Sequence, residues 1–239
     1  MVLVGTTHPG NIGATARAMK AMGLHRLELV NPKIFPDEEA TALATGADDV
    51  LENVIVHQGL TDALSDCALI FGTSTRQRNI SWPVVTPEQA ARQIAEIHGA
   101  SPPIAVVFGR ESSGLTNEEL ELCSQVICIP SNPSFSSLNI AAAVQIICYE
   151  IHKRLENPGT GDNDDSAHVP LVTSSELELL YEHLEECMTD IGFYDPEKPR
   201  LLMRRLKCLF NRARLDQNEY NILRGILAAA QKSVKGCKD

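Results

Sequence analysis

The sequence predicts an α/β fold: a mostly parallel sheet with helices on both faces, followed by a small helical tail. Three observations carry this. Short apolar runs at Val2-Leu3-Val4, Cys67 to Phe71, Ile104 to Phe108 and Gln125 to Ile129 alternate with helical stretches, the pattern of parallel strands joined by right-handed crossovers. Loops rich in Gly, Ser and Thr begin at Gly72, Gly109 and Pro130, each just after a strand. Beyond Leu155 the alternation stops and charge takes over.

In chain order, Val2 to Val4 is a strand and Gly5 to Gly10 a loop. Asn11 is placed to cap a helix of small residues that Gly23 ends, and Arg26 to Val30 alternates as a second strand closed by Asn31-Pro32. Asp37 to Thr45 reads as a helix stopped by Gly46, Val54 to His57 as a strand, and Thr61 to Leu64 as a helical turn. Thr86-Pro87-Glu88-Gln89 is a capping box with proline at the first helical position, opening a helix to about His98. A second capping box stands at Thr116-Asn117-Glu118-Glu119.

The last predicted strand, to Ile129, runs into Pro130-Ser131-Asn132-Pro133-Ser134-Phe135-Ser136-Ser137-Leu138-Asn139 and then an apolar helix. Ser136 or Ser137 serves as its N-cap. The remaining hydroxyls and amides exceed what a plain connection needs, and free N–H groups at a helix start suit a small polar ligand. The three Gly/Ser/Thr loops all leave strand carboxyl ends, where ligands bind on parallel sheets. They can therefore meet on one rim. Gly10-Asn11-Ile12-Gly13 lacks the dinucleotide-binding spacing, and no phosphate-binding G-K-[ST] loop is present. Arg17 is out of place among Ala14, Thr15, Ala16 and Ala18, since a cation near a helix N-terminus is mildly unfavourable.

At 239 residues with 44% hydrophobic content, the chain has room for one sizeable domain and a smaller piece. No apolar run approaches the roughly 18 residues of a membrane span, and no signal segment is visible. The seven cysteines include no C-x-x-C pair and no histidine pattern that would complete a zinc site, which suits a reducing cytoplasm without bound metal. The net charge of −10 argues against a polyanionic partner until its distribution is read. From Glu156 to Pro196 there is no Lys or Arg, whereas cations from Lys198 to Lys238 outnumber acids. Residues 157–170 read as a flexible acidic linker. Helices beyond it start at Ser174 or Ser175, at Pro199 and at Asp216. The basic arm they form suits a polyanion, or equally a solvated face.

Three motifs stand in order: Asn11-x-Gly13-x-x-x-Arg17-Ala18, Phe108-Gly109-Arg110-Glu111-x-x-Gly114-Leu115, and Ile129-Pro130 through Ser136-Ser137-Leu138-Asn139. Together they resemble the SpoU branch of the SPOUT RNA methyltransferases over residues 1 to about 155. Val30-Asn31-Pro32, Gly72-Thr73-Ser74, Thr116 to Leu120 and the tail from Leu206 to Leu227 look like the TrmJ group, which methylates the ribose 2′-oxygen of cytidine or uridine 32 in the tRNA anticodon loop.

The resemblance implies a C-terminal trefoil knot in residues 1–156, and a helical tRNA-binding extension over 171–239. It also implies S-adenosyl-L-methionine as methyl donor and a homodimer with the active site at or near the subunit interface. By motif position, Thr73, Ser74, Thr75, Gly109, Ile129, Ser136, Ser137 and Leu138 line the donor pocket. Asn11, Glu111 and Asn139 shape the catalytic side, and Arg17 faces the ribose, reaching from the partner. Because guanidinium stays protonated, Arg17 is expected to clamp phosphate and developing alkoxide rather than to take the proton. Arg76, Arg78, Arg110 and the basic tail are expected to grip phosphates. The alternatives are 2′-O-methylation of another tRNA position or of ribosomal RNA, or RNA binding without catalysis.

Overall fold

The computed structural model describes residues 1–74, 82–97, 102–157, 169–199 and 201–235. Seven strands form one sheet: β1 (Val2–Val4), β2 (Glu28–Val30), β3 (Ile55–His57), β4 (Leu69–Thr73), β5 (Val84–Val85), β6 (Ile104–Phe108) and β7 (Gln125–Ile127). Their order is β3-β2-β1-β6-β4-β7-β5, and every ladder is parallel. The helices of the sheet domain are α1 (Pro9–Ala21), α2 (Glu38–Ala44), α3 (Asp48–Glu52), α4 (Leu60–Leu64), α5 (Pro87–Glu96), α6 (Asn117–Glu121) and α7 (Ile140–Glu156). The tail holds α8 (Ser174–Asp190), α9 (Leu202–Ala213) and α10 (Gln217–Lys235).

Strand alternation divides the core into two layers, because successive side chains point to opposite faces. Leu3, Leu29, Phe71, Val106 and Phe108 meet Ile12 and Met19 of α1, Ile94 of α5 and Val144 and Ile147 of α7. Val2, Val4, Ile70, Val107 and Val126 meet Leu60, Leu64 and Leu120 on the other face. A third, smaller cluster of Val172, Leu180 and Leu215 centres the tail. The tail also docks on the sheet domain. The N–H groups of Ser174 and Ser175 donate to the carbonyls of Cys67 and Ser65, and Asn211 Nδ2 donates to the Glu121 carbonyl at 2.9 Å.

Several caps differ from expectation. Asn11 lies inside α1, whose N-cap is His8 with Pro9 following. Asn139, not Ser136 or Ser137, caps α7, its side-chain oxygen accepting from the Ala141 N–H. Thr173 replaces Ser174 and Ser175 as cap of α8, in a reciprocal box with Glu176. Asn11 lies within the first turn of α1, Ser174 and Ser175 within that of α8, and Ser136 and Ser137 ahead of α7, whereas a cap is the residue immediately before the first helical one. The boxes at Thr86/Gln89 and Thr116/Glu119 form as predicted.

Strand β7 stops at Ile127 rather than Ile129, although Cys128 N–H still reaches the Val85 carbonyl. The partner there is β5, a two-residue edge strand too short for periodicity to reveal. Helix α3 also escaped prediction: it spans five residues and has no side-chain cap. Gly13 serves packing. A Cβ there would lie 2.0 Å from the Ala40 carbonyl oxygen, so only glycine lets α1 and α2 approach this closely.

Candidate functional site

The three predicted loops follow β6, β4 and β7, which are neighbours in the sheet, and they converge at the carboxyl ends of those strands, where parallel sheets bind ligands. They enclose a cavity of about 360 Å³ lined by Thr73, Ser74, Gly109, Glu111, Ile129, Ser136, Ser137 and Leu138, among others. Thr75 of the predicted set, like Arg76 and Arg78, lies outside the described residues. Ser112, Ser113, Ile127 and Ala143 also line the cavity and were not singled out. The two serines sit in the same Gly109–Gly114 loop, which is the signal that could have found them.

That loop is tight. Arg110 N–H donates to the Gly114 carbonyl at 3.3 Å and Gly114 N–H to the Arg110 carbonyl at 2.8 Å. A Cβ on Gly109 would lie 2.1 Å from the Gly114 carbonyl carbon, so bare backbone forms this wall. Arg110 is no free rim cation, contrary to expectation. Its guanidinium grips Glu119 through two bonds of 3.0 and 2.9 Å, and the same carboxylate closes the α6 capping box.

Glu111, Asn11 and Asn139 are joined in one network. The Glu111 carboxylate accepts from Thr7 N–H at 3.2 and 3.1 Å, from His8 N–H at 3.5 Å and from Asn11 Nδ2 at 2.9 Å. Asn139 Nδ2 donates to Asn11 Oδ1 at 3.0 Å, while its own oxygen caps α7. Burial opposes the Glu111 charge, but the hydrogen bonds from Asn11, Thr7 and His8 outweigh it and hold the pKa below the ordinary carboxylate value. The network thus fastens the N-termini of α1 and α7 to the loop after β6. Arg17 stands apart: it is exposed on α1 and does not line this cavity.

The residues fit a donor with a heterocycle, a charged tail and hydroxyls. The cavity falls within the roughly 300–1,000 Å³ of small-ligand sites. Ile127, Ile129, Leu138 and Ala143 supply apolar wall, and Thr73, Ser74, Ser136 and Ser137 supply polar side chains beside a glycine that admits close backbone approach. Among the described residues, no three His, Cys, Asp or Glu side chains gather to hold a metal ion, and no helix is long and apolar enough to cross a membrane.

The basic tail is less free than its composition suggests. Arg204 pairs with Glu121, Lys207 with Glu178 at 3.0 Å, and Arg224 donates to the Leu179 carbonyl at 2.7 Å. Arg214 reaches Gln93 of α5. Lys198, Arg205, Arg212 and Lys232 remain exposed, while Arg200 and Lys238 lie outside the described residues.

A family model described as the SpoU rRNA Methylase family matches residues 1–149. A second, described as tRNA methyltransferase TrmJ, C-terminal domain, matches residues 175–239. The tRNA (cytidine/uridine/adenosine-2′-O-)-methyltransferase TrmJ of Pseudomonas aeruginosa is 49% identical over 243 residues, covering 99% of this chain and 95% of the relative. The tRNA (cytidine/uridine-2′-O-)-methyltransferase TrmJ of Escherichia coli is 45% identical over 240 residues, covering 100% and 97%. The crystal structure of TrmJ from Zymomonas mobilis superposes with a TM-score of 0.80 at 35% identity, covering 95% of this chain and 96% of that one.

Proposed function

The chain belongs to the SpoU methylase family, in its TrmJ group, and from that premise we propose that it methylates the ribose 2′-oxygen of cytidine and uridine at position 32 of the tRNA anticodon loop. One observation carries the reading: the second and third motifs meet the Gly72 loop around a single cavity at the carboxyl ends of β6, β4 and β7, and Asn11 of the first motif is hydrogen-bonded to both Glu111 and Asn139 beside it. Thr73, Ser74, Gly109, Ile129, Ser136, Ser137 and Leu138 hold S-adenosylmethionine, with Thr75 assigned by motif alone. When bound, that donor supplies a methyl group on a sulfonium, a leaving group already activated by its charge.

The protein's task is then orientation, which can contribute several kcal/mol. Asn11, Glu111 and Asn139 act as positioning residues, since their polar atoms are engaged with one another and with helix termini. Arg17 clamps the backbone phosphate and the developing alkoxide. Because it is exposed and does not line its own cavity, we assign it to the site of a second copy, with the enzyme working as a homodimer. The exposed cations of the tail add phosphate contacts, and the reaction runs in the cytoplasm.

Purified protein with labelled S-adenosylmethionine and bulk tRNA tests this, followed by mapping of the labelled nucleotide. Label at ribose 32 supports the reading. Label at another tRNA position or only in ribosomal RNA replaces it, and binding without transfer leaves an RNA-binding protein. Arg17→Ala should cost about 100-fold in turnover, and mixing it with Asn139→Ala should restore activity through mixed dimers. Failure of that complementation removes the shared site.

A further inference from the structure

The tail carries a groove of about 650 Å³ between the end of α8 and the start of α9. Phe193, Pro199, Leu201 and Leu202 give it apolar surface, and Lys198 and Arg205 line it with positive charge. None of the tail's internal ion pairs draws on these two cations.

Phe193 is the residue that marks the groove. Helix α8 ends in a Schellman turn: the N–H of Gly192, at φ +76°, donates to the Thr189 carbonyl at 3.0 Å, and the Phe193 N–H donates to the Met188 carbonyl at 2.9 Å. The residue after the glycine of such a turn commonly packs an apolar side chain back on the helix. Here Met188 and Tyr194 are buried, yet Phe193 is 68% exposed. The turn therefore fixes the backbone while the ring stays open to solvent. The other exposed aromatics among the described residues, Phe135 and Tyr149, belong to the loop before α7 and to α7 itself.

The charges around the ring favour an anion. Lys198 and Arg205 are exposed and have no ion-pair partner among the described residues. The Asp195 carboxylate, the acid in the groove, accepts from the Glu197 N–H at 3.0 Å and closes its own turn. Glu197 is exposed beside it. Arg212, seven residues and about two helical turns after Arg205, extends the same face of α9 and is exposed too.

We propose that this groove stacks an unpaired base of the tRNA on the Phe193 ring and holds the adjoining phosphates on Lys198 and Arg205. The proposal rests on tRNA being the substrate, as argued above. A flat aromatic face beside cations matches both halves of a nucleotide, the base that stacks and the phosphate that is anionic. A paired base hides its faces in the helical stack, so the groove selects single-stranded RNA. It adds a contact that tail cations alone do not make.

The test measures binding of the full chain to an unmodified tRNA transcript across a salt series. Phe193→Ala should weaken binding by about 5- to 100-fold. The slope of log affinity against log salt should stay as in wild type, because a neutral ring releases no counterions. Phe193→Leu, which keeps apolar bulk without a π face, should bind as weakly as Phe193→Ala, and Phe193→Tyr should restore the affinity. Lys198→Ala should instead reduce the slope by about 1. A second readout is optical. Trp82, the chain's one tryptophan, is buried in the sheet domain, so Phe193→Trp adds an exposed fluorophore. Its emission should be quenched by the transcript and not by a blunt RNA duplex of equal charge. Wild-type affinity in Phe193→Ala or Phe193→Leu, or equal quenching by the duplex, overturns the groove. A lower sedimentation mass of Phe193→Ala at unchanged tRNA affinity also overturns it, and gives this face to a second copy of the chain. If wild type binds no tRNA, the groove and the function fall together; if it methylates tRNA and Phe193→Ala binds normally, the groove falls alone.

Discussion

At the strand-end rim, Glu111, Asn11 and Asn139 commit their polar atoms to holding loops and helix termini around a cavity. In the tail, Arg204, Lys207 and Arg224 commit theirs to holding helices on the body and on each other. The residue types suggest opposite roles, an amide and carboxylate scaffold against a basic arm for RNA. Their geometry shows both to be largely scaffold. The difference lies in consequence. Rim bonds are mutual and partly shielded, so losing one leaves the next unpaired. The tail ion pairs are part-buried as well, but each is a single pair whose remaining charge can turn to solvent, so each contributes about 1 kcal/mol or less.

The sharpest way to break this comparison is at the wall. Gly109→Ala places a methyl 2.1 Å from the Gly114 carbonyl carbon and 2.2 Å from the Leu115 nitrogen, backbone atoms that cannot rotate away. Overpacking should cost about 1–3 kcal/mol of stability and eliminate measurable S-adenosylmethionine binding by calorimetry. Full affinity in this variant would mean that the loop is not the wall of the donor site.

Next in size is Asn11→Ala. It strips a donor from Glu111 and the acceptor from Asn139, and denaturant unfolding should show a loss of about 1–3 kcal/mol. Lys207→Ala should lose no more than about 1 kcal/mol. Equal losses at both positions would erase the distinction between rim and tail.

Acid resolves the same contrast by charge. The folded Glu111 pKa is depressed below its ordinary 4.5, so its contribution is present above that value and disappears as pH falls through the folded pKa. The stability advantage of wild type over Glu111→Gln should therefore be constant at neutral pH and shrink below about pH 4.5. An advantage that persists to lower pH would mean that the carboxylate's hydrogen bonds are not what fixes the loop after β1.

The rim was largely legible because its signal is local: glycine, serine and threonine directly after an apolar strand, three times, mark ligand loops on a parallel sheet. Capping boxes at Thr86 and Thr116 were legible for the same reason. What joins the loops was not. Asn11 and Asn139 are 128 residues apart, and only the folded chain shows that one bonds the other instead of capping α1. Arg110 read alone is a rim cation and Glu119 a capping residue, and only the fold shows the Arg110 guanidinium on the same Glu119 carboxylate that completes the capping box. The tail's charge asymmetry was plain in the sequence, whereas its partition between internal pairs and open cations depends on which acids lie opposite.

That partition yields the smallest and most discriminating effect. Arg205 and Arg212 are exposed and without ion-pair partners among the described residues, whereas Arg204, next to Arg205 in sequence, pairs with Glu121. If the tail contacts RNA phosphates, Arg205→Ala and Arg212→Ala should each leave unfolding within about 0.5 kcal/mol of wild type. Each should also weaken tRNA binding and reduce the slope of log affinity against log salt by about 1. Arg204→Ala should do the reverse, lowering stability slightly and leaving that slope alone. Were the slope to fall equally in all three variants, the Glu121 pair would have to open when RNA binds, and the tail would be a displaceable arm rather than a fixed scaffold with a few open cations.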